Sequence, residues 1–238
     1  MNELDRKALT PAPTVNRPLL GLTVLVVEDS RYACEAMRLL CLRSGARIRR
    51  ADCLRSARRH LQVYRPSIVI VDLGLPDGSG AELIDELNTC VPRVGALLGI
   101  SGDETNEAVA LASGADGFLA KPITSLAAFQ SAVISMLPQT IRPMGVRSIV
   151  DDEVNPDPMA FHDDMAHIAD LLATETDGKT LEYIARFLEG VALSANDSDL
   201  STAAFNLRAA RTEGRALHVH TARVAGLVQD RLADRMAI

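Results

Sequence analysis

The 238-residue chain has no tryptophan, only three tyrosines and five phenylalanines. So thin an aromatic complement argues against a surface that stacks on unpaired bases, as binders of single-stranded DNA or RNA require. No apolar run reaches the roughly 18 residues of a membrane-spanning helix. The opening stretch MNELDRKALTPAPTVNRP is charged and lacks the apolar core of a secretory signal, so the expected location is cytoplasmic. Cys34, Cys41, Cys53 and Cys90 form neither a CxxC pair nor a metal-ligand spacing. They read as small, reduced, buried hydrophobes. With 15 glycines and 11 prolines the chain is neither collagenous nor of low complexity, and 47% hydrophobic residues suit a packed core.

Positive charge is scarce at one end. Residues 150–238 contain a single lysine and a net charge of −8, whereas residues 1–149 carry +2. A DNA reader neutralises phosphates with Lys and Arg, so the acidic end is expected not to bind DNA. Between the two regions lies LPQTIRPMGVRSIVDDEVNPDP (137–158), with four prolines and no periodicity. It reads as a linker. The expected organisation is a disordered segment 1–19, a first domain 20–138, a linker 139–156 and a helical domain 157–238.

The first domain alternates strand and helix patterns. Strand-like runs at Leu22–Val27, Ala46–Arg50, Ser67–Val71, Val94–Ile100 and Gly117–Ala120 are separated by helical spacings at 30–43, 53–64, 79–88 and 104–113, and one more helix follows at 124–137. That alternation predicts a doubly wound, five-stranded parallel sheet, an α/β class, followed by a small all-α unit. Ligands of such sheets bind beyond the carboxyl ends of the strands. Here those ends carry Glu28-Asp29, Asp72, Ser101 and Lys121-Pro122. Three carboxylates gathered at one edge suit a hard divalent cation, and without one their repulsion would raise at least one pKa.

The segments LTVLVVEDS (22–30), VDLGLPDGSG (71–80), ISGDE (100–104) and GADGFLAKP (114–122), in this order and spacing, resemble the receiver domains of two-component response regulators. The resemblance covers about residues 20–138 and implies a flavodoxin-like strand order 2-1-3-4-5. It also implies that Asp72 accepts a phosphoryl group from a phosphohistidine, and that Mg²⁺ is held by Glu28, Asp29, Asp72 and the Gly74 carbonyl. Lys121 and Ser101 would contact the phosphoryl oxygens, and Phe118 would stand with Ser101 at the switch positions. A receiver of this kind promotes its own phosphorylation and dephosphorylation and is otherwise not an enzyme. The implied partners are a histidine kinase or histidine phosphotransfer protein. Departures from the usual pattern are Glu28 for Asp, Gly102 for Ala after Ser101, and the pair Gly74 and Asp103 at the positions that tune hydrolysis. Lys121-Pro122 is a candidate cis peptide by the same resemblance.

The C-terminal unit places Met165, Ile168 and Leu172, then Leu181, Ile184, Leu188 and Val191, at helical spacing, and a third stretch runs from Leu200 to Arg235 with Gly214 inside it. Such a thin apolar face can be completed by a second copy, giving a homodimer. The expected output is protein–protein contact with a target protein, without DNA or membrane. The alternative is a relay from Asp72 to a histidine of the same chain (His162, His167, His218 or His220), although none has the Lys-Gly that follows a phosphotransfer histidine. Arg208, Arg211 and Arg215 read as a solvated helix face. Ten arginines between Arg31 and Arg65 face only Glu35 and Asp52, which predicts a basic surface able to meet the acidic unit.

Overall fold

The computed structural model describes residues 13–142, 152–174 and 177–234. Strands β1 (Thr23–Val27), β2 (Arg47–Ala51) and β3 (Ile68–Asp72) alternate with helices α1 (Arg31–Arg43) and α2 (Leu54–Val63). A short hairpin of β4 (Gly74–Leu75) and β5 (Gly78–Ser79) leads into α3 (Gly80–Thr89). Then follow β6 (Ala96–Ser101), α4 (Asn106–Ala112), β7 (Gly117–Ala120) and α5 (Leu126–Met136). The five long strands are parallel in the order β2-β1-β3-β6-β7, the doubly wound α/β sheet expected from the alternation.

The strand sequences explain this order. β1, β3 and β6 are apolar throughout their centres because helices cover both faces, and nearly every residue in them is buried. Successive side chains point to opposite faces, so the sheet builds two cores. Val24, Val26, Ile68, Ile70 and Leu98 pack with Met37 and Phe129 on one side. Leu25, Val27, Val69, Val71 and Leu97 pack with Leu54, Leu83 and Ala110 on the other. The arginine-rich β2 sits at the edge with most of its residues exposed.

Among the described residues four helices follow: α6 (Pro158–Ala173), α7 (Gly178–Ser194), α8 (Ser198–Thr212) and α9 (His218–Ala233). Asp157, Asp177 and Asp197 cap the first three, each accepting a backbone N–H of the following turn. Gly214, at φ +66, ends α8 and separates it from α9. Met165, Ile184, Leu188, Leu200, Leu207, Val224 and Val228 form their shared core.

Several local expectations are corrected. Cys34 and Cys41 are buried, but Cys90 is exposed and Cys53 caps α2, its Sγ accepting from Ser56 N at 3.4 Å. Within the segment 1–19, residues 1–12 lie outside the described residues, Thr14 and Arg17 form a turn, and Leu19 is fully buried. Of the stretch 139–156, residues 143–151 also lie outside them. Residues 152–154 are stitched to the sheet domain: Leu126 N donates to Asp152 O at 2.9 Å, Val154 N donates to Thr124 O at 2.9 Å, and Val154 is buried in the first core.

The helical unit sits on α1, with α6 and α7 packed against it. Tyr32 and Phe161 meet edge to face, with ring centroids 5.7 Å apart. Of the basic run, Arg31 pairs with Asp163 of the helical unit at 2.8 Å, and Arg43 pairs with Asp152 of the preceding segment. Arg47, Arg49, Arg55 and Arg59 stay on or near the surface, because the helices approach the strand ends rather than edge strand β2.

Candidate functional site

Parallel register brings the expected residues to one edge. Val27 pairs with Val71, so Glu28 and Asp29 leave β1 beside Asp72 at the end of β3. Asp72 pairs with Ile100, and Ser101 with Ala120, which sets Ser101 and Lys121 on the opposite flank. Gly80 secures the level of Asp72. A Cβ at that position would lie 2.0 Å from the Asp72 carbonyl oxygen, so the start of α3 can approach β3 this closely only without a side chain.

One ligand oxygen from each of Glu28, Asp29 and Asp72 lies within 4.8 Å of the other two. Lys121 is buried with them, its Nζ 2.7 Å from Glu28 Oε2 and 3.5 Å from Asp72 Oδ2. Burial pushes the Glu28 carboxyl well above its ordinary range, and the neighbouring carboxylates add to this while Lys121 opposes it. Burial and the charge of Asp72 raise Asp29 to about 7. Lys121 is pulled down by burial, but the charges of Asp72 and Glu28 outweigh this and hold it above the usual lysine range. Three carboxylates against one ammonium leave an excess of negative charge on hard oxygen donors. This donor set fits Mg²⁺, which takes a few carboxylates and keeps several waters.

Gly74 lines the same cleft, close enough that a Cβ on it would lie 3.8 Å from Asp72 Oδ2. Ser101 Oγ accepts from Asn106 Nδ2 at 2.9 Å and from Asp103 N at 3.1 Å. Phe118 pairs with Gly99 across β6–β7 and rests partly buried on the second core; the missing side chain at Gly99 gives room to Phe118 and Ala110. Lys121-Pro122 is cis, as is Val91-Pro92. Asp77 stands apart from the cluster and caps α2, accepting from Leu54 N at 2.8 Å and Arg55 N at 3.0 Å.

The helical unit supplies residues that the sequence did not point to. Tyr183 of α7 donates its hydroxyl to Asp29 Oδ2 at 2.7 Å, and its own ionisation is pushed up by burial and by that carboxylate. Asp164 of α6 accepts from Ser30 Oγ at 2.7 Å, Arg31 N at 2.8 Å and Tyr32 N at 3.1 Å. Arg208 of α8, read as part of a solvated face, spans Asp103 at 2.8 Å and Glu189 at 3.1 Å. Gly102 explains itself here: a Cβ on it would lie 3.3 Å from Gly190 Cα and 3.2 Å from Leu193 Cδ1 of α7. The cleft left around Asp72 measures about 200 Å³ and is closed by Phe187, Glu189, Gly190 and Arg208. No histidine lines it among the described residues. His167 lines a larger neighbouring cavity of about 1090 Å³ that reaches Asp29.

Comparison with known proteins places this geometry. Residues 24–133 match the family model described as the response regulator receiver domain. Among curated proteins, the KDP operon transcriptional regulatory protein KdpE of Escherichia coli is 35% identical over 101 residues, 42% of this chain and 44% of that protein. The virulence transcriptional regulatory protein PhoP of Salmonella typhimurium is 33% identical over 102 residues, 42% of this chain and 46% of PhoP. The chain thus spans less than half the length of these relatives. Among solved structures, the receiver domain of a signal transduction histidine kinase from Syntrophus aciditrophicus matches at 23% identity and TM-score 0.46, covering 54% of this chain and 99% of that one. The chemotaxis response regulator CheY4 of Vibrio cholerae matches at 21% and 0.44, covering 49% and 98%.

Proposed function

We propose that Asp72 accepts a phosphoryl group from a phosphohistidine on a histidine kinase or histidine phosphotransfer protein, a reading supported by the match of residues 24–133 to the response regulator receiver domain. A carboxylate oxygen of Asp72 forms the new O–P bond as the N–P bond of the donor breaks. The imidazole leaves with the bonding electron pair and takes up a proton. Bound Mg²⁺ supplies positive charge to the transferring oxygens. Glu28, Asp29, Asp72 and the Gly74 carbonyl would hold it. Lys121 contributes a second positive charge from a buried position, where electrostatic stabilisation is least screened. Ser101 offers its hydroxyl to the attached group, and Phe118, opposite Gly99 on the neighbouring strand, reads the change. The domain acts on itself and turns over no external substrate.

The observation that carries this reading is the Asp72 carboxylate set 3.5 Å from the Lys121 ammonium inside a cluster with Glu28 and Asp29. We assign 20–138 to the receiver, 139–156 to the connection and 157–238 to a helical output unit that acts through contacts with a target protein, as a monomer or a homodimer. KdpE and PhoP are by name transcriptional regulators, but a net −8 over residues 150–238 disfavours DNA as the partner of this unit. Among the described residues no helix is long and apolar enough to cross a membrane.

The relay to an internal histidine draws no support from the cleft, which α7 closes with Phe187, Glu189 and Gly190. The two readings separate by the lability of the phosphorylated chain. Loss of the label in base marks an acyl phosphate and is the expected result. A label that survives base marks phosphohistidine and favours the relay.

A further inference from the structure

A serine hydroxyl has two lone pairs with which to accept and one proton to give. At Ser101 both lone pairs are taken by groups that can only donate to it. Asn106 Nδ2 approaches Oγ at 2.9 Å and the Asp103 N–H approaches it at 3.1 Å. No acceptor among the described residues takes the Ser101 proton in return. Ser101 is buried and lines the cleft together with Asp72, Lys121 and Asn106. The proton is left for whatever occupies that cleft.

The surroundings hold this arrangement still. Lys121 N donates to the Ser101 carbonyl at 2.9 Å, which fixes the backbone that carries the hydroxyl. The Asp103 carboxylate accepts from Thr105 N at 3.0 Å and from Thr105 Oγ1 at 2.6 Å, and pairs with Arg208 at 2.8 Å. The Asp103 amide therefore has a set direction. Asn106 opens α4, and its backbone N donates to Asp103 O at 3.1 Å. Asparagine side chains at helix starts usually accept a backbone N–H of the first turn. Here the side-chain amide instead reaches back five positions to Ser101.

We propose that Asn106 is a positioning residue for phosphoryl transfer. By filling a lone pair of Ser101, its amide turns the hydroxyl proton toward a phosphoryl oxygen on Asp72. Without it the hydroxyl rotates among three staggered wells and is aimed at that oxygen in only one of them. A donor aligned beforehand needs no reorganisation as negative charge develops. Asn106 itself touches no reacting atom and acts through Ser101. The proposal rests on the reading of Asp72 given above and deepens it.

The test follows phosphoryl uptake by intact mass in the full-length chain, with phosphoramidate and Mg²⁺ and with circular dichroism to verify folding. Wild type, Asn106→Ala, Ser101→Ala and the double variant Asn106→Ala/Ser101→Ala are compared at equal donor concentration. Asn106→Ala is expected to slow uptake about threefold, because the released hydroxyl spreads over three wells. In the Ser101→Ala background the same substitution is expected to change nothing, since the group it positions is gone. Asn106→Asp keeps the shape but offers only acceptor oxygens. It is expected to slow uptake at least as much as Asn106→Ala. Equal slowing by Asn106→Ala in both backgrounds marks a merely structural role and overturns the proposal. Uptake at or above the wild-type rate in Asn106→Ala or Asn106→Asp also overturns it, and leaves the reading of Asp72 intact. A wild type that gains no phosphoryl group overturns the reading of Asp72 and this proposal with it.

Discussion

Ser30 and Asp164, 134 positions apart in sequence, share a hydrogen bond of 2.7 Å at the start of α1. Ser30 caps the helix in the ordinary way, its Oγ accepting from Ala33 N at 3.0 Å. Asp164 takes the two amides that Ser30 leaves, those of Arg31 and Tyr32. A carboxylate at a helix N-terminus is favoured by both hydrogen bonding and the helix dipole. The same contact thereby fastens the helical unit beside the carboxylate cluster of Glu28, Asp29 and Asp72.

Asp164→Ala is expected to destabilise the protein by about 1–3 kcal/mol, because two partly buried amides and the Ser30 hydroxyl lose their acceptor. Urea unfolding of the full-length chain measures this. A loss below a few tenths would show that water replaces the cap.

Gly80→Ala is expected to destabilise by about 1–3 kcal/mol and to slow phosphorylation, since the methyl would press on the Asp72 backbone and shift its carboxylate. Gly102→Ala should do less. Its methyl meets Leu193 Cδ1 at 3.2 Å and Gly190 Cα at 3.3 Å, and a slight withdrawal of α7 relieves both. Thermal unfolding of the two variants side by side tests the ranking, and a milder Gly80 variant would contradict the packing described.

The pH dependence follows from Asp29, raised in the folded chain from about 3.8 to about 7 by burial and the charge of Asp72. Between these values the folded state binds the extra proton. In metal-free buffer this group's contribution to stability is therefore full below pH 4 and lost as pH rises through 7. Mg²⁺ binds the ionised carboxylates, so protons compete with it. The rise in Tm on adding Mg²⁺ should be larger at pH 8 than at pH 5. Calorimetry at both values checks this, and equal shifts would remove Asp29 from the metal site.

Much of this molecule is legible in the sequence, and the reasons are local. The apolar runs at Leu22–Val27 and Ser67–Val71 identify buried strands because period and β-branching act within a few residues. The carboxylates after them then fall together by the geometry of a parallel sheet. The contacts of Asp164, Tyr183 and Arg208 with the first domain were not legible. Each joins residues more than a hundred positions apart, and neither propensity nor periodicity records such a partner. Gly102 gave a faint signal, as a missing methyl with no local reason. Val154 was hidden by the prolines around it, which mark an extended segment but not that its side chain fills a core.

Asp77 offers a control within the same loop. It caps α2 and stands outside the carboxylate cluster. Asp77→Asn is expected to keep phosphorylation while lowering stability by about 0.5–2 kcal/mol, the usual effect of a weakened cap. Loss of labelling in this variant, with folding intact, would place it in the chemistry.

The central claim is tested most directly by intact-mass measurement after incubation with phosphoramidate and Mg²⁺. The wild type is expected to gain one phosphoryl group, and Asp72→Asn none, with both chains folded by circular dichroism. A phosphoryl group retained at full yield by Asp72→Asn would contradict Asp72 as the acceptor.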